Sequence, residues 1–94
     1  MSAKDKLMSG KRGLVMGVAN DRSLSWAIAK SAAEHGADLA FTFQGEALGK
    51  RVIPLAKSVN SDLVMQCDVS QSESVKLVFD NIKNKWGKID FIVH

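Results

Sequence analysis

Gly17 and Ser23, at the turn from an apolar run into a helix, are the residues whose types and spacing could suit a phosphate. Gly17 ends the apolar run Leu14-Val15-Met16, and Ser23-Leu24 opens an amphipathic stretch that closes at His35-Gly36. A strand that turns through a glycine into the start of a helix can hold a phosphate. The first N–H groups of a helix have no partner within it, and the helix dipole is positive there. Glycine permits a turn that a Cβ would hinder. The G-x-G-x-x-G fingerprint is absent, because the next glycine after Gly17 is Gly36. By spacing alone the stretch serves a phosphate site and a plain strand–turn–helix packing unit equally well. Taken singly, Ser23 reads as a helix cap and Asp68 as a turn residue after a strand.

These residues need elements to carry them. Leu14–Met16 reads as a strand buried on both faces, and Ser23 caps a helix whose Leu24, Ile28, Ala32 and Ala33 keep to one side. Residues 37–44 form a second strand ending at Gln44. Residues 45–60 form a helix with Leu48, Val52, Leu55, Ala56 and Val59 on one face; Pro54 predicts a kink there, or a helix that starts just before it. Residues 62–67 form a third strand, from which Asp68-Val69-Ser70 departs. Residues 72–86 form the clearest helix, with Ser72 able to cap it, Val75, Val78, Phe79, Ile82 and Trp86 in register, and Gly87 as its end. Ile89–Val93 is a fourth strand.

Alternating strands and helices predict an α/β fold, a doubly wound parallel sheet with helices on both faces. Right-handed crossovers give the strand order 3-2-1-4. That order brings Gly17, Gln44, Asp68-Val69 and His94 to one rim, at the C-terminal ends of the strands, where ligands sit in such sheets. The fourth strand would lie at an edge while apolar on both faces, so it asks for a further strand. The sequence therefore reads as the N-terminal part of a single, longer Rossmann-type domain, cut after its fourth strand.

Composition narrows the function classes. The 94 residues carry a net charge of +3, with Lys and Arg scattered, which favours a solvated surface over a nucleic-acid partner. No apolar segment is long enough to span a membrane, and the polar, basic residues 1–12, with no apolar stretch of signal-peptide length after them, do not read as a secretory signal. One cysteine, Cys67, cannot form an internal disulfide, which fits a reducing cytoplasm. Cys67 reads as a small buried apolar residue. Trp26 and Trp86 read as packing residues, His35 as a helix-end group and His94 as a structural residue at a strand end.

Gly17 is followed, after five residues, by Ser23-Leu24-Ser25. Together with Gly-Val-Ala at 17–19, Leu-Ala-Phe-Thr-Phe-Gln at 39–44, Gln-Cys-Asp-Val at 66–69 and Phe-Ile-Val-His at 91–94, this resembles the bacterial NADH-dependent enoyl-[acyl-carrier-protein] reductases, divergent short-chain dehydrogenases. Their pattern is G-x5-S-x-A; here Ser25 stands in the place of Ala. The resemblance implies that the backbone at Gly17, the Ser23 hydroxyl and the Leu24 N–H hold the pyrophosphate of NAD. It implies that Gln44 lies near the adenosine end and that Asp68 and Val69 flank the adenine. It favours NADH, while Arg22, Lys50 and Arg51 leave a 2′-phosphate open.

The implied reaction is reduction of the 2,3 double bond of an enoyl thioester on acyl carrier protein, in a cytoplasmic homotetramer of fatty acid biosynthesis. The catalytic tyrosine and lysine of that family would lie beyond His94. The sequence contains no tyrosine, no catalytic residue is assigned within it, no metal is expected, and these 94 residues alone are expected to be inactive. Two alternatives stand beside this reading: another short-chain dehydrogenase/reductase, and a non-catalytic nucleotide-binding module.

Overall fold

A computed structural model describes residues 7–18 and 20–94. The elements run β1 (Arg12–Val15), α1 (Leu24–Glu34), β2 (Asp38–Phe43), α2 (Glu46–Ser58), β3 (Leu63–Gln66), α3 (Ser72–Trp86) and β4 (Phe91–Val93). The four strands form one parallel sheet in the order β3-β2-β1-β4, as the alternation and crossover rules predict. Leu14 pairs with Ala40 on one side and Ile92 on the other; Val15 pairs with Phe41 and Val93.

The continuous apolar run of β1 follows from burial of both sheet faces. Val15, Leu39 and Phe41 pack with Trp26 and Ala29 of α1 and Val52 and Ala56 of α2. Leu14, Met16, Ala40 and Leu63 pack on the other face against Val78 and Ile82 of α3. Successive strand residues point to opposite faces, so each layer takes every second side chain. Val75, Phe79 and Trp86 flank the α3 layer, as their spacing predicts. β4 shares the alternation: Phe91 and Val93 pack toward the α1/α2 layer, whereas Ile92 is half exposed on the other face.

Three local expectations are corrected. The buried stripe of α1 is Trp26 and Ala29, flanked by Ala32 and Ala33, whereas Leu24 and Ile28 are exposed. Trp26 stacks obliquely near Phe41, with ring centroids 6.1 Å apart, and this contact sets which side of the helix faces the sheet. Helix α2 begins at Glu46 and continues through Pro54, which is exposed. A solvent-side proline removes one ladder hydrogen bond without placing its ring in the core. The N-cap of α3 is Gln71, without a side-chain hydrogen bond, so Ser72 is the first helical residue rather than the cap. Nearby, the Asp68 N–H donates to Ser74 Oγ at 2.9 Å.

Arg12 fixes the lower end of β4. Its N–H donates to Asp90 Oδ2 at 2.8 Å, the Asp90 N–H donates to the Arg12 carbonyl at 2.7 Å, and its Nη1 donates to the Trp86 carbonyl at 2.7 Å. The guanidinium also lies 5.5 Å from the centre of the Trp86 ring. With β4 anchored there, its other end reaches the rim beside β1, where the Met16 N–H donates to the Val93 carbonyl at 2.8 Å. Among the described residues, no helix is long and apolar enough to cross a membrane.

Candidate nucleotide site

The C-terminal ends of β1, β2, β3 and β4 enclose a cleft of about 180 Å³. Gly17 and Val18 form its β1 side, and Thr42, Gln44 and Leu48 its β2–α2 side. Val69 and His94 close it from β3 and β4. The sheet order alone brings Gly17, Gln44, Val69 and His94 together, although they are spread across most of the sequence.

Gly17 has φ +81°, a backbone conformation in which an L side chain is strained. Among the described residues, a Cβ built there would meet only Ser25 Oγ, 3.9 Å away. The turn conformation, rather than crowding by the described residues, calls for glycine here.

Ser23 caps α1. Its Oγ accepts from the Trp26 N–H at 3.2 Å and donates to the Asn20 carbonyl at 3.0 Å. The Asn20 side chain accepts from the Arg22 N–H at 2.8 Å and stiffens the approach to the helix. In this structure Ser23 therefore does what its cap reading predicts. Leu24 is the first helical residue, with its side chain largely exposed. The N–H groups of Leu24 and Ser25 precede the first intrahelical donor and point out of the helix start. No acidic residue occupies the first turn, so nothing offsets the positive end of the dipole.

Asp68 stands beside the cleft rather than in its lining, although its neighbours Cys67 and Val69 both line it. Asp68 Oδ1 accepts from the Ser70 hydroxyl at 2.6 Å and from the Ser70 N–H at 2.9 Å. The hydroxyl first and the N–H second hold the carboxyl below its ordinary value. The folded state thus favours the ionised form. The resulting stabilisation is complete above the unfolded carboxylate pKa and is lost as pH falls below about 4. Asp68→Asn should make the unfolding midpoint less sensitive to pH between neutral and about pH 3, with only a small change at neutral pH; thermal melts at both pH values measure this.

The sequence reading did not single out Met16, Val18, Thr42 or Leu48, which also line the cleft. They are ordinary strand and helix residues by type, and only the topology shows that their ends share a rim. Cys67 is buried, as its type predicts. Arg22, Lys50 and Arg51, considered for a 2′-phosphate, are not among the cleft residues; Lys50 and Arg51 line a separate groove with Asn20, Asp21 and Pro54.

Comparison with known proteins gives this arrangement a family. The sequence profile of the family described as Enoyl-(Acyl carrier protein) reductase matches residues 17–94. Enoyl-[acyl-carrier-protein] reductase [NADH] 2 of Rhizobium meliloti (strain 1021) is 65% identical over 88 residues, which is 94% of this chain and 33% of that protein. The crystal structure of FabI from Candidatus Liberibacter asiaticus superposes with a TM-score of 0.91 at 51% identity, over 94% of this chain and 34% of that one. The enoyl-(acyl-carrier-protein) reductase of Anaplasma phagocytophilum, determined in complex with NAD, gives 0.89 at 49% identity, over 94% and 34%. The chain spans about a third of the length of the relatives it matches. The family match takes in every element from the Gly17 turn to β4, with the same fold at near-half identity, and the chain belongs to the enoyl-(acyl carrier protein) reductase family.

Proposed function

We propose that this chain supplies the adenosine and pyrophosphate half of the NADH site of an enoyl-[acyl-carrier-protein] reductase. The observation that carries the reading is the meeting of Gly17, Gln44, Val69 and His94 in one cleft; Ser23 and Leu24 are not in its lining, but the first turn of α1 comes near Gly17, with Ser25 Oγ 3.9 Å from that residue's Cβ position. In this reading the 94 residues are the N-terminal part of one NAD-binding Rossmann domain, in keeping with their share of the relatives' length. The backbone at Gly17 and the Leu24 N–H hold the pyrophosphate, with Ser23 keeping the helix start in place. Gln44 meets the adenosine, and Val69 packs on the adenine. Asp68 Oδ1 is engaged by Ser70, so Oδ2 is the oxygen left to accept from the adenine amine.

When bound, NADH supplies the hydride for reduction of the 2,3 double bond of an enoyl thioester on acyl carrier protein. The residues here bind and orient the cofactor; none carries out a chemical step. An uncharged Gln44 at the end of β2, with Lys50 and Arg51 turned to another groove, supports NADH over NADPH. The single cysteine supports a reducing cytoplasm. A homotetramer and a place in fatty acid biosynthesis are inferred from the family.

The test is made on the polypeptide at the full length its gene encodes. NADH should bind and be consumed in the presence of an enoyl thioester, with NADPH a much poorer donor. No NADH binding, or NADH consumption that ignores the thioester, overturns the reading. The 94 residues alone, which contain no tyrosine, should show no thioester-dependent NADH oxidation.

A further inference from the structure

Among the described residues two polar side chains are buried, Thr42 and Ser61. Ser61 is spent inside the fold: its hydroxyl donates to the Leu39 carbonyl at 2.6 Å. Thr42 is 3% exposed, yet its hydroxyl has no hydrogen-bond partner among the described residues. Among the described residues no fully buried side-chain nitrogen or oxygen lacks a partner, so the Thr42 oxygen keeps an opening. The cavity that Thr42 lines is the cleft.

A hydroxyl with only a narrow opening and no internal partner adds nothing to the fold, whereas valine would fill the same β-branched volume with an apolar methyl. The other buried residues of β2 are apolar: Leu39, Ala40 and Phe41. On the same face, Thr42 is paired in register with Met65 and follows Ala40, so it lies in an apolar layer that gives it nothing to bond. A polar group retained in such a layer, open toward a cleft and otherwise unused, is suited to a ligand.

We propose that the Thr42 hydroxyl is a binding group for the adenosine half of the bound dinucleotide. This rests on the nucleotide reading of the cleft. Met16, Val18, Leu48 and Val69 give the cleft apolar walls suited to a flat base. A hydroxyl both donates and accepts, so it can meet the ring nitrogens or the amino group of a purine from the floor of the slot.

Thr42→Val and Thr42→Ser in the full-length protein test this, with NADH, AMP and nicotinamide mononucleotide as probes. The valine variant should bind NADH and AMP about fivefold more weakly and nicotinamide mononucleotide as the wild type does. Its unliganded melting temperature should be equal or higher, and serine should restore the AMP affinity. Unchanged AMP and NADH affinity in the valine variant, with the wild type binding both, overturns the inference and leaves the nucleotide reading intact. Equal loss for nicotinamide mononucleotide, or a lowered melting temperature with no rescue by serine, assigns Thr42 a structural role and also overturns it. A wild type that binds neither NADH nor AMP overturns both readings.

Discussion

Gly13→Ala should destabilise the fold by about 3 kcal/mol or more, the upper range for overpacking a tight interior. Gly13 is buried in β1 and pairs with Phe91 of β4. An alanine Cβ built there would run into the edge of the Phe91 ring. The partly buried Phe91 ring packs against the α1/α2 layer and its neighbour Asp90 is pinned by Arg12, which restricts how far the ring can give. The conflict also falls at the pairing that carries β4 to the rim, so the cleft should be disturbed together with the fold. Phe91→Ala in the Gly13→Ala background provides the check. If the ring is the obstacle, the double variant should be more stable than the sum of the two single losses by about 1 kcal/mol or more. Strict additivity in chemical denaturation would place the effect elsewhere.

The sheet was legible because its signals were redundant. Leu14–Met16 is apolar without interruption, strands and helices alternate, and handedness leaves few orders open, so 3-2-1-4 followed. The rim followed from the order: Gly17, Gln44, Val69 and His94 could be placed together before any contact was known. What the sequence concealed was the rotation of single elements. Leu24 and Ile28 are as apolar as any core residue, yet one aromatic contact, Trp26 on Phe41, turns α1 so that they face outward. The α3 cap was misplaced by one residue because serines at 70, 72 and 74 are equivalent by type; only the Asp68–Ser70 bonds and the Asp68 N–H to Ser74 distinguish them. Thr42 was hidden for the opposite reason. A threonine in a strand is unremarkable until its lack of an internal partner is seen.

Gly17→Ala should leave a folded protein that binds NADH roughly 10- to 100-fold more weakly, the loss expected when a hydrogen bond to a charged phosphate, worth about 1.5–3 kcal/mol, is no longer made. The backbone at Gly17 is in the left-handed region, so alanine costs about 1 kcal/mol in conformational strain. Among the described residues the new methyl meets only Ser25 Oγ, at 3.9 Å. Most of the effect therefore falls on whatever approaches the turn from the cleft. Gly87→Ala separates strain from position. Gly87 has φ +80° and equally open surroundings, but it caps the far end of α3, away from the rim. Both variants should lose similar stability, and only Gly17→Ala should lose nucleotide affinity. If both weaken NADH binding alike, backbone strain accounts for the loss and the close approach of a pyrophosphate at Gly17 is disproved. If neither does, the phosphate lies elsewhere on the rim and the start of α1 is only a helix cap.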